Sequence, residues 1–196
     1  MILQIAYFPP VEYFAVLAKY SAVYLDCFEH YQKQSYRNRC RILTANGPMD
    51  LRFPIVHNGK RDITKVEVDY ATPWVRQTEY AIESAYCSSP FFDYYKDELF
   101  AVLDSHPRTL WELDSELISF FCRKIGIIEP LPLSEEDARK AGASGQGVMD
   151  IHPKHPSDFV GKPYWQVFGD KFGFVGNLSV MDLLFNEGTE SLFYLR

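Results

Sequence analysis

The fold is decided by the opening of the chain, ILQIAYFPPVEYFAVLAKYSAVYLD (residues 2–26). An apolar run from Ile2 to Phe8, ended by Pro9-Pro10, favours a buried strand over a helix. Residues 11–20 place apolar side chains at helical spacing, and residues 21–26 form a second apolar run. A strand, a helix and a strand in so short a stretch are typical of a βαβ unit. We therefore expect the loop after the first strand and the segment after the second to meet at one sheet edge, where open α/β sheets bind ligands.

A basic stretch, YQKQSYRNRCR (residues 31–41), follows directly in a protein of net charge −6. Arg39 and Arg41 alternate along a predicted strand and so share one face, which Arg37 joins if the strand begins early. Guanidinium groups on one face suit the bidentate capture of phosphate or carboxylate. The alternative is that they pair with acidic residues on an exposed sheet face. The residues of this stretch predicted to bind an anionic substrate are Tyr31, Lys33, Arg37, Asn38, Arg39 and Arg41.

The next segment predicts an antiparallel hairpin. Asn46-Gly47 is a strong hairpin signal and lies between β-rich runs at residues 40–44 and 51–56, although Pro48 would lengthen the turn. A further strand is predicted at residues 63–68, where apolar and charged side chains alternate. Together with the βαβ opening, these runs predict an α/β fold with a mixed sheet.

The middle of the chain predicts three consecutive capped helices. Thr72-Pro73 and Ser89-Pro90 each place a proline at a helix start. Thr109 and Glu112 match a capping box, and Gly126 is the predicted stop of that helix.

The composition changes after these helices. Residues 129–163 are rich in proline, glycine and charge, and we predict an irregular loop or lid within a single domain spanning 1–196. The chain then becomes apolar again, with a strand-like run at 165–168. Ser179 fits an N-terminal cap and residues 186–188 a C-terminal stop, so a last helix is predicted between them.

Composition also restricts the class of protein. With 47% hydrophobic and 23% charged residues, the chain is typical of a globular protein. Its acidic net charge argues against general binding of nucleic acid. No apolar window approaches the roughly 20 residues of a membrane helix, and the apolar start lacks a basic leader, so we expect no membrane insertion and a cytoplasmic location. The four cysteines form no CxxC pair, and no metal or cofactor is predicted. Whether the chain forms a homo-oligomer is left open.

Several blocks of the sequence resemble one protein family. They are Gln4, Phe8, Pro9, Tyr13 and Phe14; Tyr31-Gln-Lys33 leading into Asn38-Arg39-Cys-Arg41; the Trp74 to Tyr86 helix with Pro90-Phe-Phe; and the closing Tyr164-Trp-Gln166-Val-Phe168 with Leu178 to Gly188. On these blocks the chain resembles the WbqC-like proteins, bacterial proteins often encoded in O-antigen and other surface-polysaccharide clusters. The resemblance spans nearly the whole chain, and the closing block is its most specific part. It implies a role in surface-glycan assembly, with glycine or aminoacyl transfer as the proposed activity.

The chain also departs from the family pattern. A proline commonly follows the glutamine of the opening motif and a glycine precedes its Tyr-Phe pair, where this chain has Ile5 and Glu12. Many members carry a histidine one turn after the tryptophan, where this chain has Thr78. If that histidine carries a proton in relatives, this protein lacks the activity or performs it differently.

Candidate chemistry falls into two groups near the opening. His30 and Glu29 are the predicted catalytic residues, because they offer acid and base groups within reach of the arginines. The alternative for His30 is that it lies in a loop and has no catalytic role. Tyr7, Pro9 and Tyr13 are predicted to form a rigid aromatic wall beside the anion site, and the alternative is that these rings belong to the core.

Other candidates are weaker. Gln166, Asp182 and Asn186 are predicted to supply polar groups to the cleft if the last helix lines it; otherwise that helix only seals the core. The histidines 57, 152 and 155 are too sparse for a metal site. Gly142 to Gly147 lacks the lysine of a phosphate loop and favours a linker or lid. Cations near Cys27 and Cys40 could lower a thiol pKa.

Two functions remain at this stage. We predict a transferase of bacterial surface-polysaccharide biosynthesis that binds an activated sugar or acyl donor. The alternative is a non-catalytic binding or scaffold subunit of a glycan-assembly complex. A cleft of a few hundred Å³ containing the arginines favours the first, and a flat basic face favours the second.

Overall fold

A computed structural model describes residues 1–144, 147–155 and 157–196. The strands are β1 (Ile2–Leu3), β2 (Tyr24–Leu25), β3 (Arg39–Thr44), β4 (Gly47–Arg52), β5 (Leu131–Pro132) and β6 (Val148–Met149). The helices are α1 (Val11–Lys19), α2 (Trp74–Tyr86), α3 (Phe92–Asp104), α4 (Leu110–Ile125), α5 (Glu135–Ser144), α6 (Gly169–Phe172), α7 (Val180–Glu187) and α8 (Ser191–Leu195), with 3₁₀ turns at Tyr36–Asn38 and Gly188–Glu190. The α/β class predicted from the sequence is confirmed.

The first sheet is parallel and contains the βαβ opening. Its strand order is β5-β2-β1-β6, and every neighbouring pair is parallel. β1 and β2 are joined through α1, as the apolar pattern predicts. The strands are shorter than the apolar runs that contain them. Beyond β1 the chain stays buried but leaves the ladder, and the Tyr7 backbone N–H donates instead to the Tyr36 carbonyl at 2.8 Å.

The segment predicted as an irregular loop or lid (129–163) contributes to this sheet. β5 and β6 are its two edge strands, and α5 lies between them in sequence. The Leu131 N–H donates to the Val23 carbonyl at 3.2 Å, and the Ile2 N–H donates to the Gly147 carbonyl at 2.6 Å. Part of the segment is therefore sheet. Of the glycine-rich linker or lid predicted at 142–147, residues 145 and 146 lie outside the described residues, as does residue 156.

The hairpin of β3 and β4 forms a separate antiparallel sheet. Thr44 pairs with Gly47, so the turn residues are 45–46 and Pro48 pairs with Leu43 instead of lengthening the turn. Residues 63–68 form only isolated bridges. Val68 pairs with Ile55 and Glu67 with Thr109, so no continuous strand pairing results. The predicted mixed sheet is thus two sheets, one parallel and one antiparallel, and the strands predicted at 63–68 and 165–168 do not form.

The three predicted helices are present as α2, α3 and α4. The Thr109 hydroxyl accepts from the Glu112 N–H, the Glu112 carboxylate accepts from the Thr109 N–H, and Gly126 ends α4 in the left-handed region at φ 82°. α4 and the completely buried stretch 180–186 of α7 lie at the centre of the core. The turn Tyr36–Asn38 contacts α4 and leads into β3, which places the basic stretch between the core and the hairpin.

Candidate functional site

Three arginines share one face of the hairpin with a single carboxylate. The register sets Arg39 directly opposite Arg52 and Arg41 directly opposite Asp50. The Arg41 Nε donates to Asp50 Oδ1 at 2.9 Å, and the Arg52 guanidinium donates to Oδ2 at 3.2 Å. Arg39 Nη1 lies 3.6 Å from the same Oδ2. Three guanidinium groups against one carboxylate leave a local charge of +2 on this face.

The arginines fix the charge state of that carboxylate. Burial opposes the ionisation of Asp50, but the hydrogen bonds from Arg41 and Arg52 outweigh it and hold the pKa of Asp50 below its usual value. The bond to Asp50 in turn raises the pKa of Arg41. Asp50 and Arg41 therefore form an ion pair near neutral pH.

A cavity of about 420 Å³ opens beside this face. It is lined by Tyr31, Gln34, Asn38, Arg39 and Arg52. The Tyr31 hydroxyl donates to Asn38 Oδ1 at 3.2 Å, and the Asn38 amide donates to the Phe53 carbonyl at 3.0 Å, so both side chains are held in place. Arg39 donates to the Gln34 carbonyl at 2.7 Å, while its buried Nε has no hydrogen-bond partner among the described residues. The lining contains two cations and no carboxylate.

The cavity unites some of the predicted substrate-binding residues and omits others. Tyr31, Asn38 and Arg39 are brought together, whereas Arg41 faces Asp50 and Lys33 is exposed outside this lining. Arg52 was missed by sequence reasoning. Counting residue pairs outward from Asn46-Gly47 would have placed Arg52 opposite Arg41, and only the observed turn at residues 45–46 places it opposite Arg39.

Arg37 does not join the hairpin face, because β3 begins only at Arg39; its role in substrate binding stays a prediction. It lies in the turn Tyr36–Asn38, where its side chain is only 2% exposed and binds Glu29 Oε2 through both Nε, at 3.0 Å, and Nη2. Glu29 Oε1 accepts from the Ile5 N–H at 3.2 Å, which ties the pair to the end of β1. Burial raises the pKa of Glu29 to about 7, although Arg37 and the Ile5 N–H oppose this shift.

The two predicted catalytic residues lie apart from the cavity. Glu29 is engaged by Arg37, and His30 is exposed with its Nδ1 3.4 Å from Asp62 Oδ1. Neither residue lines the cavity of Arg39 and Arg52. Their catalytic role stays a prediction.

Asp114 is a buried carboxyl that sequence reasoning missed. It lies in α4 at 0% exposure, and neither of its oxygens has a hydrogen-bond partner among the described residues. Burial first, and then the charge of Glu29, raises its pKa well above the usual value, while Arg37 opposes the shift. The sequence does contain a signal for a buried carboxyl. Asp114 lies on the same apolar stripe of the helix as Leu110, Leu117 and Phe121.

His152, in the segment after β6, lies near enough to Arg37 for the charge of Arg37 to affect its pKa. Burial lowers its pKa, and the charges of His155 and Arg37 add to the effect against the pull of Asp150. Within the described ranges, no group of three His, Cys, Asp or Glu side chains could hold a metal ion.

The predicted aromatic wall is part of the core. Tyr7 is 0% and Tyr13 2% exposed, and Pro9 is buried as well. The Tyr7 ring lies 4.6 Å from the Phe53 ring, and the Tyr13 hydroxyl donates to the Gln4 carbonyl at 2.9 Å. Among the described residues, these side chains do not line the cavity of Arg39 and Arg52, and their placement agrees with the core alternative.

Gln166, Asp182 and Asn186 form a buried polar cluster around α7 instead of lining the cavity of Arg39 and Arg52. The Tyr164 hydroxyl and the Gln166 amide each donate to Asp182 Oδ2 at 2.7 Å. The Asn186 amide donates to the Asp182 carbonyl at 2.7 Å. Burial raises the pKa of Asp182 to about 6, although Tyr164, Gln166 and the nearby Tyr86 favour the ionised form. The prediction that they bind substrate stays untested, and their contacts join the 164–166 segment to α7.

We expect Asp182 to make folding stability depend on pH. Because its folded pKa lies above its unfolded value, its contribution is complete below about pH 4 and is lost as the pH rises through about 6. The free energy of unfolding of the wild type, relative to Asp182→Asn, should therefore fall by about 2 kcal/mol between pH 4 and pH 7. Urea unfolding of both proteins at each pH measures this difference. The exposed Asp170→Asn is the matched control, and an equal pH dependence in all three proteins would contradict the assignment.

The thiols near the basic stretch do not have lowered pKa values. Burial raises the pKa of Cys27 and of Cys40, and the neighbouring cations do not reverse this. The expectation that the arginines lower a thiol pKa is wrong at both positions.

Comparison with known proteins gives one family. The model of the WbqC-like protein family matches residues 4–158. The chain belongs to this family. The match includes the hairpin, the cavity and the Glu29–Arg37 pair, whereas the closing block that carried the most specific resemblance lies beyond residue 158. Thr78, where many members carry histidine, is buried at 3% exposure in α2 and lies outside the cavity lining.

A curated relative extends the similarity over the whole chain. The uncharacterized protein Rv1507c of Mycobacterium tuberculosis is 26% identical over 226 residues, which cover 100% of this chain and 96% of that protein. No solved structure matches the chain. None of the helices in the described part of the chain is both long and apolar enough to cross a bilayer.

Proposed function

We propose that this protein binds a small anionic substrate in the cavity of Arg39 and Arg52 and acts as a transferase in the assembly of bacterial surface polysaccharide. The observation that carries the proposal is the placement of Arg39 directly opposite Arg52 beside the cavity. Like charges at directly opposed positions destabilise a strand pair. Asp50 is shared by three arginines and neutralises only part of this charge. A bound phosphate or carboxylate would neutralise the remainder.

The residues of the cavity suit one part of a group-transfer reaction, which is the binding of the leaving group. In aminoacyl transfer, an amine or hydroxyl of the acceptor sugar forms a bond to the acyl carbon, the bond from that carbon to the anionic leaving group breaks, and the acceptor loses a proton. Guanidinium donors fixed beforehand stabilise charge that grows on a leaving phosphate. Arg39 and Arg52 would bind that leaving group. The transferase role itself comes from the family resemblance.

A specific observation favours the second candidate, a non-catalytic binding subunit of a glycan-assembly complex. Among the described residues that line the cavity, Tyr31 is the only ionisable group besides the arginines. Burial raises its pKa, so it is a poor base near neutral pH. Turnover of an activated sugar or acyl donor by the purified protein would support the transferase. Ligand binding without turnover, with recovery of a stable protein partner, would support the subunit.

Removing either arginine of the opposed pair should weaken ligand binding. A hydrogen bond to a charged group contributes about 1.5–3 kcal/mol, so Arg39→Gln and Arg52→Gln should each raise the Kd of phosphate-bearing ligands by about 10- to 100-fold. Calorimetric titration against nucleotide sugars and acyl-adenylates measures the effect.

The control for this experiment is Arg139→Gln, which removes an exposed arginine paired with Glu135 on α5. It should bind as the wild type does. Unchanged affinity in folded Arg39→Gln and Arg52→Gln, or an equal loss in Arg139→Gln, would remove the anion-site proposal.

A further inference from the structure

A second cavity shares Tyr31 with the cavity of Arg39 and Arg52. It has a volume of about 540 Å³. Its lining residues are Tyr31, Gln32, Lys33, Ile55, Val56, His57, Asn58, Gly59, Lys60 and Arg61. We propose that this second cavity binds another anionic group of the same substrate, so that the substrate is a sugar phosphate or related molecule with two separated anionic groups. This inference rests on the anionic-substrate site proposed above.

The walls of the second cavity are held by backbone hydrogen bonds. The Tyr31 N–H donates to the Arg61 carbonyl at 2.8 Å, and the Ile63 N–H donates to the Glu29 carbonyl at 3.1 Å. The Val56 N–H donates to the Glu67 carbonyl at 2.8 Å. The first two bonds connect the segment that carries Tyr31 to one end of the loop that forms the other wall, at residues 61–63, and the third joins the other end of that loop to Glu67. Backbone hydrogen bonds therefore hold the two walls of the cavity together.

The charges in the second cavity have one sign. Its lining carries Lys33, Lys60 and Arg61 and no carboxylate. Lys60 Nζ lies 3.1 Å from Glu67 Oε1, which lies outside the lining. Among the residues that the structure describes, the side chains of Lys33 and Arg61 have no ion-pair partner. Two unpaired cations remain available to a ligand in an otherwise acidic protein.

The second cavity also has an apolar side. Ile55 is buried and Val56 is 36% exposed, and both line the cavity together with Tyr31. The C–H face of a sugar ring packs on such apolar surfaces, while its acidic substituents contact cations at the rim of the cavity. This combination suits a compact organic anion better than a polyanionic nucleic acid, which would need an extended basic surface.

Tyr31 connects the two cavities. Its side chain lines both, and its hydroxyl is held by Asn38 in the first. A ligand that lies along Tyr31 would place one anionic group at Arg39 and Arg52 and the other at Lys33 and Arg61. Once the first group is bound, the second binds at a high effective concentration, so the gain in affinity exceeds that of two separate anions.

Glucose 1-phosphate and glucose 1,6-bisphosphate form a matched pair of probes, because they differ in the second anionic group. By isothermal titration calorimetry at low salt, the wild type should bind the bisphosphate at least about tenfold more tightly. In the Lys33→Gln/Arg61→Gln double variant this preference should disappear. Arg52→Gln should weaken both ligands, and Arg139→Gln should weaken neither.

Each other result has a definite meaning. Equal affinity of the wild type for the two probes, or a preference that persists in the double variant, would overturn the second subsite. If glucose 1-phosphate binds and depends on Arg52, the anionic-substrate site then stands without it. If neither probe binds the wild type, both proposals fail.

Discussion

Glu29→Leu is expected to lower the free energy of unfolding by about 3–5 kcal/mol. The variant leaves the Arg37 guanidinium buried, still charged and without the carboxylate that accepts from both its Nε and Nη2. Arginine cannot escape this cost by losing its proton. The Ile5 N–H also loses its acceptor, so the turn Tyr36–Asn38 and the end of β1 are loosened together. Urea unfolding at pH 7 measures the loss.

Glu29→Gln separates hydrogen bonding from charge in the same pair. The amide oxygen still accepts hydrogen bonds, and burial raises the pKa of Glu29 and so disfavours its charged form. We expect less than half of the loss seen with leucine. The double variant Glu29→Leu/Arg37→Met should recover most of the loss, because two apolar side chains of similar volume replace a buried ion pair well.

A surface pair provides the control for these variants. Glu116 lies 3.2 Å from Arg123 with both side chains about half exposed, and Glu116→Leu should cost less than about 1 kcal/mol. A loss below about 1 kcal/mol in Glu29→Leu, or no recovery in the double variant, would show that the pair does not hold the turn.

The parts of the fold that follow from the sequence are those with local causes. The capping box of Thr109 with Glu112 and the left-handed Gly126 are complete within α4, so their residues alone predict its ends. The hairpin follows from the turn between its strands. β5 and β6 could not be predicted in this way. Each pairs over only two residues with a strand more than 100 positions away, inside a segment whose prolines and charges give no strand period.

The same difference between local and long-range causes applies to the candidate site. Arg39 was found because alternation along a strand is local, and Arg52 required the register across the turn. The direction of Arg37 was left open, because it depends on Glu29 and on the contact of its turn with α4, which the sequence pattern does not show. The second cavity needs residues 31–33 and 55–61 together, and their proximity is set by tertiary hydrogen bonds. Residue types predicted the anion-binding chemistry, whereas the partners of each arginine came only from the fold.

Tyr7→Ala is expected to lower the free energy of unfolding by about 3–5 kcal/mol, the usual cost of removing a buried aromatic ring. The Tyr7 ring lies 4.4 Å from Phe8, 4.6 Å from Phe53 and 6.5 Å from Trp74, and its exposure is 0%. Its removal leaves a cavity between the end of β1 and the start of α2 that these rings cannot close without moving their own elements. Thermal and urea unfolding measure the loss.

Tyr7→Phe distinguishes a core residue from one that binds substrate. The Tyr7 hydroxyl is buried and has no hydrogen bond of ordinary length among the described residues, although Thr78 interacts with it. Its removal should therefore change stability by less than about 1 kcal/mol. If Tyr7 only packs the core, this variant should bind glucose 1-phosphate as tightly as the wild type. A folded Tyr7→Phe that loses binding would instead show that the hydroxyl reaches the ligand, as the aromatic-wall prediction requires, and that the ring cluster opens when substrate binds.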